Sequence, residues 1–295
     1  MTLEEKLLSL KIEGFYLEES VLSPTQAAEA YASTKATLQE GSGRIFGSTF
    51  LNHNQCLAPY LATPQIMEVV VAMLGSSARI ISTSGNLREP TAQAEPDPAG
   101  GLHVDWPWGQ SGGSYIEGQL PDVVINLTTF WMLTEFSPQN GATIVAPGTH
   151  QAGKNPNGYP ELKQAGPTEY QVEAAAGSVL VFDGRLWHKG GTNRSASDRV
   201  FWGVNYAPWW LNCHARRPHS VEHRIQTQAG HTPSGHWPYL RSEVYELFPP
   251  PVKQLLGHWV DTEWVMSKAE AEAAIWGFIL SVVFHQDWRG DLIGF

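Results

Sequence analysis

The sequence predicts a mainly β fold with helical segments at both ends, and two observations support this. From residue 78 onward, short runs of β-branched and aromatic residues alternate with clusters of Gly, Pro and Asn. Many short strands separated by turns are typical of a β-sandwich or a β-barrel. Before residue 78 and after residue 240, the spacing of the apolar residues favours helices instead.

The N-terminal part, residues 1–77, is predicted to be helical. Residues 2–10, 24–40 and 64–74 have helical patterns. Ser23 and Pro24 are typical of an N-cap followed by a proline at the first helical position, so they predict where the second helix begins. Gly75 predicts the end of the third helix, because glycine readily adopts the backbone conformation that ends helices.

The β core is predicted over about residues 78–210. Its strands are expected at residues 78–84, 101–106, 122–133, 142–146, 169–173, 178–183 and 199–206. Residues 138–141 (Pro-Gln-Asn-Gly) predict a turn, since Asn-Gly tolerates a positive φ. Residues 152–168 are rich in Gly, Pro and Asn, and they predict a loop over the mouth of the barrel.

Residues 211–295 form a predicted C-terminal extension that is partly irregular and partly helical. Histidines and prolines are frequent in residues 214–240, which predicts irregular structure, whereas residues 241–257 and 262–284 have helical patterns. The chain shows no internal repeat, no low-complexity tract and no clear linker. Residues 1–295 are therefore predicted to form a single domain.

The composition excludes several classes of partner. Lys and Arg number 19 against 29 Asp and Glu, and the net charge of −10 disfavours binding to nucleic acid or to an anionic membrane surface. The longest apolar stretch, residues 275–284, is too short to span a bilayer. The N-terminal residues lack the pattern of a signal peptide, and Cys56 and Cys213 are too few for a disulfide framework. We expect a cytoplasmic protein that binds a small molecule. The sequence does not indicate its oligomeric state.

A His-x-Asp pair at His103 and Asp105 is a candidate metal site. On a strand, residues i and i+2 point to the same side, so both side chains can bind one ion while Val104 faces the other way. His188 and then Arg199 follow later in the chain. Two imidazoles and one carboxylate leave coordination positions open, which suits non-haem Fe(II) oxygenases. The alternative is that the pair belongs to a surface turn and that His188 is an ordinary strand-end histidine.

The surroundings of His188 and Arg199 bear on this choice. His188 follows a strongly apolar strand pattern at residues 177–182, and a strand that ends at a histidine would place the imidazole at the rim of a barrel. Arg199 opens the next predicted strand. An exposed strand-end charge would explain it. A planar guanidinium also suits a bidentate clamp on a dicarboxylate, and an arginine buried in a barrel would need such a counter-anion.

Residues 130–150 carry the most specific pattern, Phe-Trp-Met-Leu-Thr-Glu-Phe-Ser-Pro-Gln-Asn-Gly-Ala-Thr-Ile-Val-Ala-Pro-Gly-Thr-His. A strand with a tryptophan leads to an Asn-Gly turn, then to a second strand and to Pro-Gly-Thr-His. This order of elements resembles the phytanoyl-CoA dioxygenase family. The resemblance continues through residues 177–182, His188 and Arg199, so it covers roughly residues 80–210 and, more weakly, the N-terminal helices.

The resemblance implies a double-stranded β-helix, a cupin-like jelly roll, that holds Fe(II) and uses 2-oxoglutarate and O2 as cosubstrates. His103, Asp105 and His188 match the iron ligands of the family, so they are the implied metal-binding and catalytic residues. Arg199 matches the arginine that pairs with the distal carboxylate of 2-oxoglutarate. His150, in Pro-Gly-Thr-His, is expected to shape a turn and is not predicted as a ligand.

Three further residues are expected to contact the cosubstrate. Trp131 matches a tryptophan that lines the cosubstrate pocket in the family, and Thr143 is a candidate hydroxyl partner for a carboxylate of 2-oxoglutarate. Gly101 stands where many relatives have a glutamine. Asn126, or the region of Asn86, is therefore expected to supply that contact.

The sequence thus predicts an Fe(II)- and 2-oxoglutarate-dependent dioxygenase that oxidises a C–H bond of a small metabolite, foremost by hydroxylation, with release of succinate and CO2. The aromatic content favours an apolar or ring-bearing substrate. Desaturation, epoxidation and ring rearrangement in natural-product biosynthesis use the same iron ligands and stay open. Halogenation is disfavoured, because halogenases of this fold lack the carboxylate that Asp105 supplies.

Two alternatives belong to other classes of protein. One is a non-catalytic, cupin-like protein that binds a metal or a small molecule, and the other is a metal-free structural barrel whose histidines are core residues. Arg199 argues against the first, since a plain binding protein has no need of a dicarboxylate clamp. A folded, reduced protein that binds iron would exclude the metal-free structural barrel and favour the enzyme.

Overall fold

The computed structural model describes residues 1–40, 50–91, 101–105, 123–152, 156, 168–211, 221–228 and 239–260. Met1–Val260 form one compact unit. The helix predicted over residues 262–284, Cys213 and most of the loop predicted over residues 152–168 lie outside the described residues. The assignment of residues 1–295 to a single domain stays a prediction.

Helices α1 (Leu3–Ile12), α2 (Pro24–Glu40), α3 (Phe50–His53) and α4 (Pro64–Leu74) precede the main strands. The three helices predicted from apolar spacing are confirmed. The hydroxyl of Thr2 caps α1 by accepting a hydrogen bond from the backbone N–H of Glu5, and the Glu5 carboxylate accepts one from the N–H of Thr2 at 2.7 Å. The end of α4 at Gly75 also follows the prediction.

The described residues form eight strands in two antiparallel sheets. The strands are β1 (Phe15–Glu18), β2 (Arg79–Arg88), β3 (Leu127–Met132), β4 (Ile144–Val145), β5 (Tyr170–Gln171), β6 (Val179–Asp183), β7 (His188–Lys189) and β8 (Arg199–Ala207). The larger sheet has the order β1-β6-β3-β8-β2, and the smaller one has the order β5-β4-β7. These two sheets form the predicted jelly-roll core. The strands of the described residues do not close into a barrel.

Three strands differ from the prediction: β1, β7 and the strand predicted at residues 101–106. β1 is absent from the prediction, because four residues directly after a helix are too few to show a clear alternation. It pairs with β6 at the edge of the larger sheet, where Phe15 lies opposite Phe182. The strand predicted at residues 101–106 is reduced, in its described part, to an isolated bridge at His103.

The larger sheet has two different faces. One packs against the helices, and its buried side chains include Trp131, Trp202, Val204 and Tyr206. The other, called the inner face below, packs with residues of the smaller sheet such as Val145, and its buried side chains include Met132, Leu180, Phe182 and Phe201. Because successive residues of a strand point to opposite faces, this division assigns each position of β3 and β8 to one face.

Beyond the sheets, the described residues form α5 (Val221–Gln228), α6 (Ser242–Tyr245) and α7 (Pro250–Leu256). The single helix predicted over residues 241–257 is two helices, because Pro249 and Pro250 restrict the backbone before the second one. α5 lies in the segment predicted to be irregular. No helix of the described residues combines the length and the apolar character needed to cross a membrane.

Candidate metal centre

His103 and His188 lie opposite each other in an isolated antiparallel bridge. The N–H of His103 donates to the carbonyl of His188 at 2.9 Å, and the N–H of His188 donates to the carbonyl of His103 at 3.0 Å. The centroids of their imidazole rings are 4.3 Å apart. His188 begins β7, whereas the apolar strand before it ends at Asp183. The expectation that His188 ends that strand at a barrel rim is therefore wrong.

Asp105 completes the group. Its backbone N–H donates to the carbonyl of Gly184 at 2.8 Å, so it is attached to the turn that leads from β6 to His188. Its Oδ1 lies 3.5 Å from Nε2 of His188. One ligand atom from each of His103, Asp105 and His188 lies within 4.8 Å of the others. The structure thus brings together the three residues that the sequence predicts as metal ligands.

Backbone carbonyls orient both imidazoles. Nδ1 of His188 lies 2.9 Å from the carbonyl oxygen of Leu186, and Nδ1 of His103 lies 3.4 Å from that of Gly101. A neutral imidazole has one N–H, so donation from Nδ1 leaves the lone pair on Nε2. In His188 this is the nitrogen nearest Asp105, and it is therefore the nitrogen available to a metal.

Thr128 is a residue of the site that the sequence did not reveal. Its hydroxyl donates to Oδ2 of Asp105 at 2.7 Å and lies 3.2 Å from Oδ1 of Asn126. The amide of Asn126 in turn donates to the carbonyl of Tyr206 at 3.2 Å. Thr128 therefore holds the oxygen of Asp105 that does not face His188, and leaves Oδ1 for a metal. In the sequence, the role of Thr128 is indicated only by its position on β3, two residues after Asn126 and so on the same side of the chain.

The charges of the site are coupled. Burial by itself would raise the pKa of Asp105, but the charge of His188 and its hydrogen bond outweigh burial and lower that pKa to about 2. Burial would lower the pKa of His188, but the carboxylate of Asp105 raises it above the ordinary value. In the metal-free protein Asp105 is therefore an anion, ready to bind a cation.

Aromatic side chains of the inner face surround His188. The ring of Phe182 lies 4.8 Å from its imidazole and the ring of Phe130 lies 6.1 Å away, both edge to face. Phe130 also contacts Phe201 at 4.8 Å. These rings make one wall of the site apolar, which strengthens electrostatic interactions beside it.

Arg199 lies on the same face, at the start of β8. It is buried, with its guanidinium carbon 4.9 Å from the ring of Phe136 and 5.4 Å from that of Phe201. It donates a hydrogen bond to the carbonyl of Gly141, in the predicted Asn-Gly turn. The arginine is thus an interior residue, as a clamp requires, and not an exposed strand-end charge.

The other predicted cosubstrate contacts occupy different places. Thr143 is buried between Gly141 and Val145, and Val145 pairs with His188. Asn126 lies behind Thr128, as described above. Trp131 does not join the site: it packs on the helix-packed face, 6.5 Å from Tyr60, and its indole donates to Thr129 at 3.0 Å. The prediction that Trp131 lines the cosubstrate pocket is therefore wrong, because strand alternation points Phe130 inward and Trp131 outward.

The donor set fits Fe(II). Two imidazole nitrogens and one carboxylate oxygen form the facial arrangement of non-haem iron oxygenases, in which the remaining positions stay open for small ligands. Thr128, Leu186 and Gly101 hold these donors from behind, as outer partners do at metal sites. His150 lies outside this group: it is buried, with Nε2 3.2 Å from the carbonyl oxygen of Lys11 at the end of α1.

Comparison with known proteins identifies relatives. The family model described as "Phytanoyl-CoA dioxygenase (PhyH)" matches residues 12–201. The chain is 29% identical over 143 residues to the uncharacterized protein Rv1501 of Mycobacterium tuberculosis, covering 48% of this chain and 47% of that protein. It is 26% identical over 218 residues to dioxygenase af480 of Aspergillus fumigatus, covering 65% and 62%. In both cases the chain spans less than two thirds of the relative's own length.

Solved structures share the fold. The epimerase SnoN, in complex with Fe3+, alpha-ketoglutarate and nogalamycin RO, has a TM-score of 0.57 at 16% identity, over 70% of this chain and 83% of that one. HygX from Streptomyces hygroscopicus, with nickel and 2-oxoglutarate bound, has a TM-score of 0.55 at 15% identity, over 72% and 89%. At this level of identity the likeness shows the fold.

Proposed function

Because this chain belongs to the phytanoyl-CoA dioxygenase family, we propose that it is a non-haem Fe(II)- and 2-oxoglutarate-dependent dioxygenase. It oxidises a C–H bond of a small molecule, and it releases succinate and CO2. The observation that carries this proposal is the convergence of His103, Asp105 and His188, from two distant segments, into one group with its ligand atoms within 4.8 Å.

Each residue of the site has a task. His103, Asp105 and His188 hold Fe(II), which when bound supplies the redox chemistry with 2-oxoglutarate and O2. Arg199 pairs with the distal carboxylate of 2-oxoglutarate, because its planar guanidinium matches a carboxylate and the buried position strengthens the pair. Thr143 contributes a hydroxyl to the same cosubstrate. It lies between Gly141, whose carbonyl binds Arg199, and β4, which pairs with His188.

Hydroxylation of an apolar or ring-bearing metabolite is the reaction we propose. Phe130, Phe182 and Phe201 supply the apolar wall beside the ligands. Desaturation, epoxidation and ring rearrangement would use the same ligands, and the mass of the product distinguishes them. Asp105 stands where a halide would have to bind, so chloride or bromide should leave the product unchanged. Natural-product biosynthesis is a fitting context, because one fold relative is crystallised with nogalamycin RO.

The negative net charge supports the proposal that the protein binds neither nucleic acid nor a membrane. The small number of cysteines supports a cytoplasmic location. Residues 1–295 are proposed to act as one oxygenase domain.

Two measurements test the proposed function. Anaerobic titration of the metal-free protein with Fe(II) and then 2-oxoglutarate should produce a visible charge-transfer band, and the band should require both additions. In air, the same protein should release succinate from 2-oxoglutarate, faster when a substrate is present. A folded, reduced protein that forms no band and releases no succinate would contradict the proposal and favour a structural protein that binds no metal.

A further inference from the structure

The turn from β6 to β7 contacts two of the three candidate ligands through its backbone. The carbonyl of Gly184 accepts a hydrogen bond from the N–H of Asp105 at 2.8 Å. The carbonyl oxygen of Leu186 lies 2.9 Å from Nδ1 of His188. A change in the conformation of this turn would therefore move a carboxylate ligand and an imidazole ligand together.

Gly184 is intrinsically the most flexible residue of this turn, because glycine has more backbone freedom than any other residue. A side chain does not fit at this position: a Cβ on Gly184 would lie 2.1 Å from Oδ1 of Asn126 and 2.9 Å from its Cγ. The N–H of Gly184 also donates to the carbonyl of Asn126 at 2.9 Å. Close packing thus requires a flexible residue where the backbone holds Asp105.

The residues on either side of Gly184 bind each other. Nε of Arg185 donates to Oδ1 of Asp183 at 3.0 Å, and its Nη2 donates to Oδ2 at 2.7 Å. The backbone N–H of Arg185 also donates to Oδ1, at 2.9 Å. This is a bidentate ion pair whose side chains are 5% and 2% exposed. Because the pair spans the glycine, it restricts the backbone angles that the glycine can adopt.

Asp183 points away from the aromatic wall of the site. On β6, Phe182 points to the inner face, whereas Val181 points to the helix-packed face. Strand alternation places Asp183 on the same side as Val181. In the register Asp183 lies opposite Leu127, which also packs in the helix-packed core. Asp183 therefore reaches the ligands through the turn and not across the inner face.

Stability alone does not explain a buried ion pair in this turn. Taking two charges out of water costs free energy that their attraction only roughly offsets. Well-packed apolar residues of similar volume often give equal or greater stability at such positions. The pair of Asp183 and Arg185 is therefore better explained by the geometry that it imposes on the turn.

We propose that Asp183 and Arg185 are positioning residues of the iron centre. They fix the conformation of the turn from β6 to β7, and the carbonyls of that turn hold Asp105 and His188 in place. Neither residue of the pair is a ligand. This inference rests on the proposed function, because it assigns the ion pair to the geometry of the metal ligands.

The test measures geometry and stability separately, on the full chain with Co(II) as the probe. Imidazole and carboxylate ligands bind Co(II) as they bind Fe(II). The visible bands of bound Co(II) report the number and arrangement of its ligands, and a titration that follows these bands gives the affinity. Denaturant unfolding of the metal-free protein measures stability.

Three variants change the pair in different ways. Arg185→Met deprives the buried carboxylate of Asp183 of its cation, so it should lower both stability and Co(II) affinity, the affinity by about tenfold or more. The double variant Asp183→Leu, Arg185→Met should be as stable as the wild type or more so, yet show altered bands and a similar loss of affinity. Arg185→Lys keeps the charge without the planar fork, so its affinity should lie between those of the wild type and Arg185→Met.

Lys6→Met is the matched control, because it breaks a buried ion pair elsewhere. The side chain of Lys6 is 3% exposed, and its Nζ lies 2.7 Å from Oε2 of Glu18. Glu18 lies opposite Val179, which is four residues from Asp183 along β6, or roughly 13 Å on an extended strand. Lys6→Met should lose stability as Arg185→Met does, yet keep the Co(II) bands and affinity of the wild type.

The outcomes separate the two proposals. A wild type that binds no Co(II), and forms no charge-transfer band with Fe(II) and 2-oxoglutarate, refutes the proposed function and this inference with it. Normal binding by the wild type, with a stable double variant that matches its bands and affinity, refutes the positioning role alone. The same role is refuted if Arg185→Lys binds no better than Arg185→Met, or if Lys6→Met alters the bands as Arg185→Met does. If the double variant is less stable than the wild type, these last two comparisons decide.

Discussion

The backbones of His103 and His188 exchange two hydrogen bonds, so the main chain holds the two imidazoles of the candidate iron site beside each other. The pairing fixes the separation of the two side chains before any ion binds. Such a preformed site avoids the ordering cost that a flexible site would meet on binding.

Replacing a ligand should therefore abolish metal binding without unfolding the protein. His103→Ala, Asp105→Ala and His188→Ala should each lower Fe(II) affinity by more than the roughly 10–100-fold that loss of an outer partner costs. Anaerobic titration in the presence of 2-oxoglutarate measures this. His53→Ala, at an exposed histidine outside the group, serves as the control. Wild-type affinity in any ligand variant would remove that residue from the site.

Thr128 should act through Asp105. Thr128→Val keeps the shape of the side chain but deletes the proton given to Oδ2, so Asp105 loses its orientation. We expect Fe(II) affinity to fall roughly 10–100-fold. Thr128→Ser should restore most of it, because the hydroxyl returns. Equal affinities for the valine and serine variants would mean that Thr128 fills space and does not orient the carboxylate.

Arg199 should govern 2-oxoglutarate and not iron. Loss of one side of a buried charge pair costs roughly 2–5 kcal/mol. Arg199→Ala should therefore raise the KM for 2-oxoglutarate by one or more orders of magnitude, while Fe(II) titration is unchanged. Arg194→Ala, at an exposed arginine nearby in the chain, is the control. Normal turnover of Arg199→Ala at low 2-oxoglutarate would assign the clamp to another residue.

Iron binding should weaken in acid. His188 must be neutral to bind a metal, and Asp105 raises its pKa above the ordinary value of 6.5 despite burial. Protons therefore begin to compete above pH 6.5, and affinity should fall about tenfold per pH unit below the pKa of His188. Asp105 has a pKa of about 2 and stays ionised throughout. In the metal-free protein, Asp105→Asn should lower the pKa of His188, followed by NMR of its imidazole, and an unchanged pKa would show that Asp105 does not raise it.

Local patterns made much of this site predictable. The i, i+2 spacing of His103 and Asp105 places both side chains on one side even without a regular strand. The order of elements around residues 130–150 resembles the phytanoyl-CoA dioxygenase family, and that resemblance implies the roles of His188 and Arg199. The helices are equally predictable, since Ser23 caps α2 and Gly75 ends α4, and both signals depend only on the chain nearby.

Long-range register explains what the sequence did not reveal. Thr128 reaches Asp105 only because β3 lies between β6 and β8 with Thr128 opposite Phe182 and Asn205. Phe130 and Trp131 are adjacent, and a shift of one residue would exchange their faces. Nothing local to residues 130–131 decides which aromatic ring points inward, so the error over Trp131 follows from the same cause.

The turn at Gly184 offers a last test of how the backbone controls the site. Its carbonyl accepts the N–H of Asp105 at 2.8 Å, and a Cβ there would lie 2.1 Å from Oδ1 of Asn126. Gly184→Ala should lower the free energy of unfolding by roughly 1–3 kcal/mol through overpacking. It should also weaken Fe(II) binding at least tenfold, because Asn126 and Asp105 are both displaced.

A matched clash elsewhere separates these two effects. A Cβ on Gly85 would lie 2.4 Å from Cε2 of Phe50, on the helix-packed face away from the ligands. Gly85→Ala should therefore lose stability to a similar extent, measured by denaturant unfolding, yet keep its Fe(II) affinity. If both variants lose stability and both bind Fe(II) normally, the Gly184 turn supports the fold without controlling Asp105. If only Gly184→Ala loses affinity, the backbone contact with Asp105 is part of how the site selects its geometry.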